Sequence, residues 1–294
     1  MRADGLRLAI PERVITVRPP VVETAAELEL RPDDVLLLTV KGQDAGALLP
    51  DLAALRVAGG TAGETLPIYC GQNGLANEPA ALRYFANVHG MEVSLQATYL
   101  EPGKVSAART PFTGILEIGR YPGGHDAVDD EVAEHLNASG FLTTVRDDVM
   151  AWKRAKLLRN LNNALDALCD RQPADSPEAQ TLATVRAALV AEARACFDAG
   201  GLSLTDTAEF DEHKAKSWFE PVEGQSRTAG STWQSVARGA GSVETDFLNG
   251  EITWLGRTHG VPTPTNVRVQ QRMAQFIRAG ERPGAVTPAE LLAD

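Results

Sequence analysis

Apolar and polar positions follow two different rhythms along this chain, and the rhythm changes near residue 147. In the first part, short apolar runs are separated by helical patterns. VLLLTVK at 35–41 is a continuous apolar run of the kind buried in a sheet, and QDAGALLPDLAAL behind it has helical spacing interrupted by Pro50. LPIYCGQNG reads as a strand ending in a polar, glycine-containing turn, with a helical stretch from about Glu78 to Val88 after it. MEVSLQATYL, KVSAA and GILEIG are strand-like, with Pro-Gly and Gly-Gly signals that favour hairpins or a meander. A helix near 126–139 and the strand-like FLTTV complete this part.

Asp147 and Asp148 suit helix caps, and beyond them strand signals become few. Helical patterns cover 149–169, about Pro177 to Ala199, and Pro264 or Thr265 to about Ala279. QPADSPE and DEHKAKSWFEPVEGQSRTAG read as connectors, the second a candidate for ordering by a ligand. The prediction is an α/β domain over 1–146 and a mainly helical domain over 147–294.

WKRAKLLRNLNNALDAL at 152–168 carries chemistry as well as pattern. At about 100° per residue, Leu157, Leu158, Leu161, Leu165 and Leu168 share a broad core-facing side. Lys156, Asn160 and Asn163 form a polar row on the other side, because spacings of four and three return to one face. Asparagine is tolerated rather than favoured in helices, so the row needs an explanation. Two remain open from spacing alone. The row is a solvated face, or it is a site in which an ammonium donor and two amides hold a small oxygen-rich anion.

Composition narrows the function classes. The 294 residues are 44% hydrophobic and contain no uninterrupted apolar run of membrane-spanning length, and MRADGLRLAIPERV lacks the apolar run of a signal peptide, so a cytoplasmic protein is expected. A net charge of −11 argues against general nucleic-acid binding, so an anionic ligand needs a local basic site. Cys70, Cys169 and Cys196 are odd in number and far apart, and read as buried thiols rather than a disulfide or zinc framework. The five histidines show no metal spacing and no GxSxG elbow occurs. The dinucleotide fingerprint is also absent: GAGSVE at 239–244 ends in Glu244 with no strand before it, and AGGTAG at 58–63 has the wrong spacing. SVETDFLNGEITWLGRTHGVPTPTN at 242–266 reads on its own as a capped helix pair, with Pro262 and Pro264 separating two helices.

VKGQD at 40–44, QNGLANE at 72–78, AKLLRNLNNALDAL at 155–168, SVETDFLNG at 242–250 and GVPTPTN at 260–266 occur in an order and spacing that resemble the ketopantoate reductase (2-dehydropantoate 2-reductase) family, from about Gly5 to Phe276. The resemblance implies a Rossmann-type domain followed by an all-α domain like the C-terminal domain of 6-phosphogluconate dehydrogenase, with a site in the cleft between them. It implies NADPH-dependent reduction of ketopantoate or a related 2-keto acid. Lys156 matches the family's general-acid lysine and Asn160 the asparagine that follows it. Glu244 matches a glutamate at the nicotinamide or substrate, and Ser231, three residues before Gln234, matches a substrate-carboxylate serine. Lys41, Asn73 and Ala97 match cofactor-binding positions, Lys41 toward the adenosine phosphate. No metal, membrane or nucleic-acid partner is implied, and the resemblance leaves a homodimer open.

The chain departs from the family at three places. Ala164 stands where the family has a second asparagine, with Asn163 the nearest substitute. Ser235 follows the Ser-x-x-Gln motif in place of aspartate, with one extra residue before Glu244. MRADGLRL resembles the family's stretch after its second strand, so Met1 is expected to be an internal methionine of a longer product whose missing front carries the GxGxxG unit. The alternative is a catalytically silent relative that retains small-acid binding or dimerisation.

Overall fold

The computed structural model describes residues 4–222, 230–237, 239 and 241–292, with only the backbone of Leu100, Ser231 and Ala237. The chain divides into two compact units, Met1–Lys153 with Thr205–Arg227, and Arg154–Leu204 with Thr228–Asp294.

The first unit is built on a five-stranded mixed sheet. Leu36–Leu38, Pro67–Cys70 and Asn87–Leu95 run parallel, Gly114–Arg120 is antiparallel to the last of these, and Leu142–Val145 is parallel to Gly114–Arg120 at the far edge. Successive side chains of a strand point to opposite faces, which places Ile68 in one core and Tyr69 in the other. Ile68 packs with Leu38, Leu49, Phe85 and Val88, whereas Tyr69 packs with Met91, Leu116, Ile118 and Val132. Helix Gly42–Ala53 supplies Ala45, Leu49 and Ala53 to the first core, and helix Ala127–Ala138 supplies Val132 and Ala133 to the second. A second sheet orders strands Arg13–Val17, Leu6–Ile10, Lys104–Ala107 and Ala97–Glu101.

Several predicted boundaries move. The strand expected over 35–41 is limited to Leu36–Leu38, because Lys41 already occupies the N-cap of the next helix. Pro50 does not interrupt that helix; it lies in its last turn, so that only about one further turn follows the missing amide donor. The helix expected from 78 to 88 ends at Ala81, since the Ala86 amide bonds to Gly63 O at 2.8 Å and Asn87 begins pairing with Pro67. Sheet pairing overrides local propensity there.

The first half of the segment read as a connector is regular structure, while its residues 223–229 lie outside the described residues. Thr207–Lys214 is a helix and Trp218–Phe219 pairs with Arg109–Thr110, all within the first unit. Charge holds it. Glu92 and Glu117 are buried cross-strand neighbours, and Lys214 reaches both, pairing with Glu92 and standing 3.3 Å from Glu117. His213 Nδ1 lies 2.6 Å from Glu117, and Arg146 donates to it at 2.9 Å while stacking over Trp152.

The second unit is helical, with Asn163–Leu168, Pro177–Ala199, Asn249–His259 and Pro264–Ala279 joined by the end of helix Val149–Asn160. Leu157, Leu161, Leu165 and Leu168 are buried, as the wheel predicts. The single helix expected over 149–169 is two, however. At Asn162 the amide bonds back only three residues, to Arg159 O at 3.2 Å, and the turn breaks before Asn163. Asparagine, which competes with regular helix bonding, sits where the helix tightens. Among the described residues no helix is long and apolar enough to cross a membrane.

Candidate active site

In the helical unit, the polar row is not simply a wet face. Lys156 is half-buried and Asn160 only 9% exposed, and the Asn160 side-chain Nδ2 is buried without a hydrogen-bond partner. An unpaired buried amide N–H costs free energy unless something polar meets it. Asp148 initiates this helix by accepting from the Ala151 amide at 2.9 Å, while Asp147 turns to His125.

Asn163 is half-buried on the next helix, against which Ser231–Ala237 packs. A Cβ on Gly230 would stand 3.8 Å from Asn163 Oδ1, so the structure brings Asn163 together with the start of the Ser-x-x-Gln helix. The Ser231 side chain lies outside the described residues. Glu244 is buried and opens the short 3-10 helix Glu244–Phe247, which packs on Asn249–His259 and Pro264–Ala279.

The remainder of the 242–266 block is scaffold. Helix Asn249–His259 ends at Gly260, whose φ of 70° is left-handed, and Pro264 opens the next helix. Glu192 caps that helix from a neighbouring one, accepting from the amides of Thr265 at 2.8 Å and Asn266 at 3.0 Å. Asn266 Nδ2 also donates to Glu192 at 2.7 Å, and Asn249 Nδ2 donates to Asn266 Oδ1 at 3.1 Å and Leu161 O at 3.3 Å. The capped helix pair is therefore the right reading of Asn249 and Asn266.

In the sheet unit, Lys41, Asn73 and Ala97 follow the carboxyl ends of three adjacent parallel strands, Leu36–Leu38, Pro67–Cys70 and Asn87–Leu95. That edge is where ligands bind in open α/β sheets. Gly74 has φ of 82° in the turn after Asn73, a conformation open to glycine at little cost. Around the turn, Gln72 Oε1, Asn77 Nδ2 and Glu78 Oε2 are buried without hydrogen-bond partners.

Lys153 and Glu78 are the charged pair that sequence reasoning missed. Lys153 is 3% exposed, and its ammonium donates to Cys70 O at 3.2 Å, to Gln72 O at 2.9 Å and to the fully buried Glu78. A signal existed: Lys153 lies three residues before Lys156 and extends the polar row by one turn.

The histidines are structural or exposed. His125, His135 and His259 are exposed, and His213 answers Glu117. His89 Nδ1 meets Asp129 at 2.8 Å, and Tyr69 donates to the same oxygen at 2.7 Å. Among the described residues, His89, Asp126 and Asp129 form one group with metal-ligand spacing, yet Asp126 is paired to Arg120 at 2.6 Å and Asp129 is occupied by Tyr69 and His89. All three cysteines are free and buried, as expected.

The chain is similar to known proteins over most of its length. The profile of ketopantoate reductase PanE/ApbA matches residues 1–123, and that of ketopantoate reductase PanE/ApbA C terminal matches 148–276. A 2-dehydropantoate 2-reductase of Pyrococcus horikoshii is 26% identical over 196 residues, covering 66% of this chain and 62% of that protein. One from Pyrococcus abyssi is 24% identical over 197 residues, covering 67% and 62%. The matched region thus spans 62% of the length of these curated relatives. Among solved structures, a PanE/ApbA family ketopantoate reductase from Ralstonia eutropha is similar at TM-score 0.74 and 23% identity, covering 95% of this chain and 86% of that one. D-mandelate dehydrogenase with NADH and anilino(oxo)acetate is similar at 0.71 and 20%, covering 95% and 85%. The fold is shared with both, and with the two profiles running over both halves, the chain belongs to the ketopantoate reductase PanE/ApbA family.

Proposed function

We propose that the protein is an NADPH-dependent reductase of ketopantoate or a closely related 2-keto acid. The observation that carries this reading is the pairing, one helical turn apart, of half-buried Lys156 with buried Asn160, whose Nδ2 lacks a partner. Relatives bearing the 2-dehydropantoate 2-reductase name support the reaction class.

The donor set fits a nicotinamide cofactor in part. Lys41 at a helix N-cap suits the extra phosphate of NADPH, and the unpartnered Gln72 Oε1 and Asn77 Nδ2 near Asn73 suit a polar ligand at the sheet edge. The glycine turn that cradles a pyrophosphate is not in this sequence, so no residue here is assigned to that group. When bound, the nicotinamide supplies hydride to the keto carbon.

The chain's own residues do the rest. Lys156 Nζ donates a proton to the oxygen as it gains negative charge, and Asn160 Nδ2 donates a hydrogen bond to the substrate. Asn163 and Ser231 bind the carboxylate end, and Glu244 orients the substrate or the nicotinamide. Ala164, in place of a second asparagine, removes one polar contact, which favours a 2-keto acid with a less hydroxylated tail.

The test follows NADPH oxidation with a panel that includes ketopantoate and unhydroxylated 2-keto acids. Lys156→Ala should lower kcat by about 10²–10⁴-fold, the usual worth of a general acid, with NADPH affinity retained. Unchanged kcat would remove Lys156 from the chemistry, and no turnover of any 2-keto acid by the parent protein would refute the reductase reading.

A further inference from the structure

We infer that Lys153 and Glu78 form a positioning pair that sets the Gln72-Asn73-Gly74 turn for ligand binding at the sheet edge. An ammonium has three protons, and all three of Lys153 are committed: to Cys70 O, the last residue of its strand, to Gln72 O, and to Glu78 at the start of helix Asn77–Ala81. One side chain therefore ties together the strand end, the turn and the helix that follows.

The turn is held from its other side by the neighbouring strand. The Gly71 amide and Gln72 Nε2 both donate to Leu38 O, at 3.0 and 2.9 Å. Gln72 is thus gripped through its side chain by Leu38 and through its carbonyl by Lys153, and the next residue is Asn73. With Gln72 fixed at both ends, the direction in which Asn73 leaves the sheet is fixed as well.

Neutralising a buried carboxylate does not by itself require this geometry. A lysine present only to balance Glu78 could bond to either oxygen and leave the turn alone. Here the ammonium instead takes two backbone carbonyls and leaves Glu78 Oε2 without a partner. The helix Val149–Asn160, which delivers Lys153, goes on to carry Lys156 one turn later. The cofactor consequence rests on the reductase reading; the control of the turn does not.

The experiment compares Lys153→Met with the charge-balanced double variant Lys153→Met/Glu78→Met. The single variant strands a buried carboxylate and should be destabilised, whereas the double should recover its urea midpoint. Two readouts then separate positioning from neutralisation. Amide hydrogen exchange at Gln72, Asn73 and Gly74 should be about tenfold faster in the double variant than in the parent, because local opening no longer breaks the lysine bonds. The KM for NADPH should rise by a similar factor with kcat at saturating cofactor retained. Exchange and KM at parent values in a stable double variant would overturn the inference, leaving Lys153 a counter-charge. If the parent shows no NADPH turnover, the exchange readout still decides. If the double variant does not fold, Glu78→Gln, which keeps Lys153 and an acceptor for it, should leave exchange of these amides within about threefold of the parent. Faster exchange in that variant would overturn the inference.

Discussion

Replacing Glu192 by alanine should destabilise the helical unit through a helix it does not belong to. Helix Pro264–Ala279 has no side-chain cap of its own, since Thr263 makes no capping bond. Its first amides, on buried Thr265 and Asn266, depend on the two oxygens of Glu192 at 2.8 and 3.0 Å, and Asn266 Nδ2 adds a third bond at 2.7 Å. Hydrogen bonds to a charged acceptor contribute about 1.5–3 kcal/mol each, and losing a cap alone costs about 0.5–2 kcal/mol. The sum is an overestimate. Glu192 is half-buried, so water can take over part of the load, and Asn266 Nδ2 keeps Leu189 O at 3.3 Å. A net loss of about 3 kcal/mol follows, or roughly 5 °C in Tm for a chain of 294 residues. Glu192→Gln, which retains one acceptor oxygen, should lose about half as much. Urea unfolding followed by tryptophan fluorescence measures both, with Trp254 on the adjoining helix as a reporter. A loss below about 1 kcal/mol for alanine would refute the capping argument, because no unpaired buried amide could then have been created.

Acid should release the Thr207–Lys214 segment. Burial would push the Glu117 carboxyl up, but the His213 hydrogen bond, the Lys214 charge and Arg146 outweigh it and hold the carboxyl below its ordinary value. The native state then binds fewer protons than the unfolded chain, so this stabilisation is complete above the ordinary carboxylate range and fades as pH falls through the folded value. Urea midpoints measured from neutral pH downward should show a shallower acid limb for Glu117→Gln than for the parent; parallel limbs would contradict it. Gly260→Ala meets no neighbouring atom within 4 Å, so its cost is that of a left-handed backbone alone, about 1 kcal/mol by chemical denaturation. A larger loss would mean that packing had been missed.

The sequence carries the strand-and-helix rhythm of the first part, and Ile68, Tyr69, Ile115 and Ile118 are buried where continuous apolar runs place them. It also carries helix 177–199 and the Gly260 and Pro264 boundaries, because caps and breakers act locally. What it hides is long-range. Nothing near Ala81 announces that the chain must stop being helical to meet Pro67, and nothing in DEHKAKSW announces partners at Glu92 and Glu117. The Lys156–Asn160–Asn163 row is visible by spacing, but its burial is not, and Lys153 is legible only as one more lysine until Gln72 and Glu78 are brought to it. Asn162 shows a further limit: asparagine frequency flags an irregularity, not that the helix ends there.

The return of Thr205–Arg227 to the sheet unit has a consequence for the order in which the molecule can be made. Glu92 and Glu117 face each other across two strands that emerge early from the ribosome, while Lys214 and His213 emerge about 100 residues later. Until then the nascent sheet holds two buried carboxylates without the Lys214 and His213 charges, with the Ser94 hydroxyl on Glu92 and Arg146 on Glu117 already in place. A chain stopped near residue 153 would keep these strands and Arg146 but lose Lys214 and His213, so the point at which this half becomes self-sufficient lies well inside the synthesis of the other.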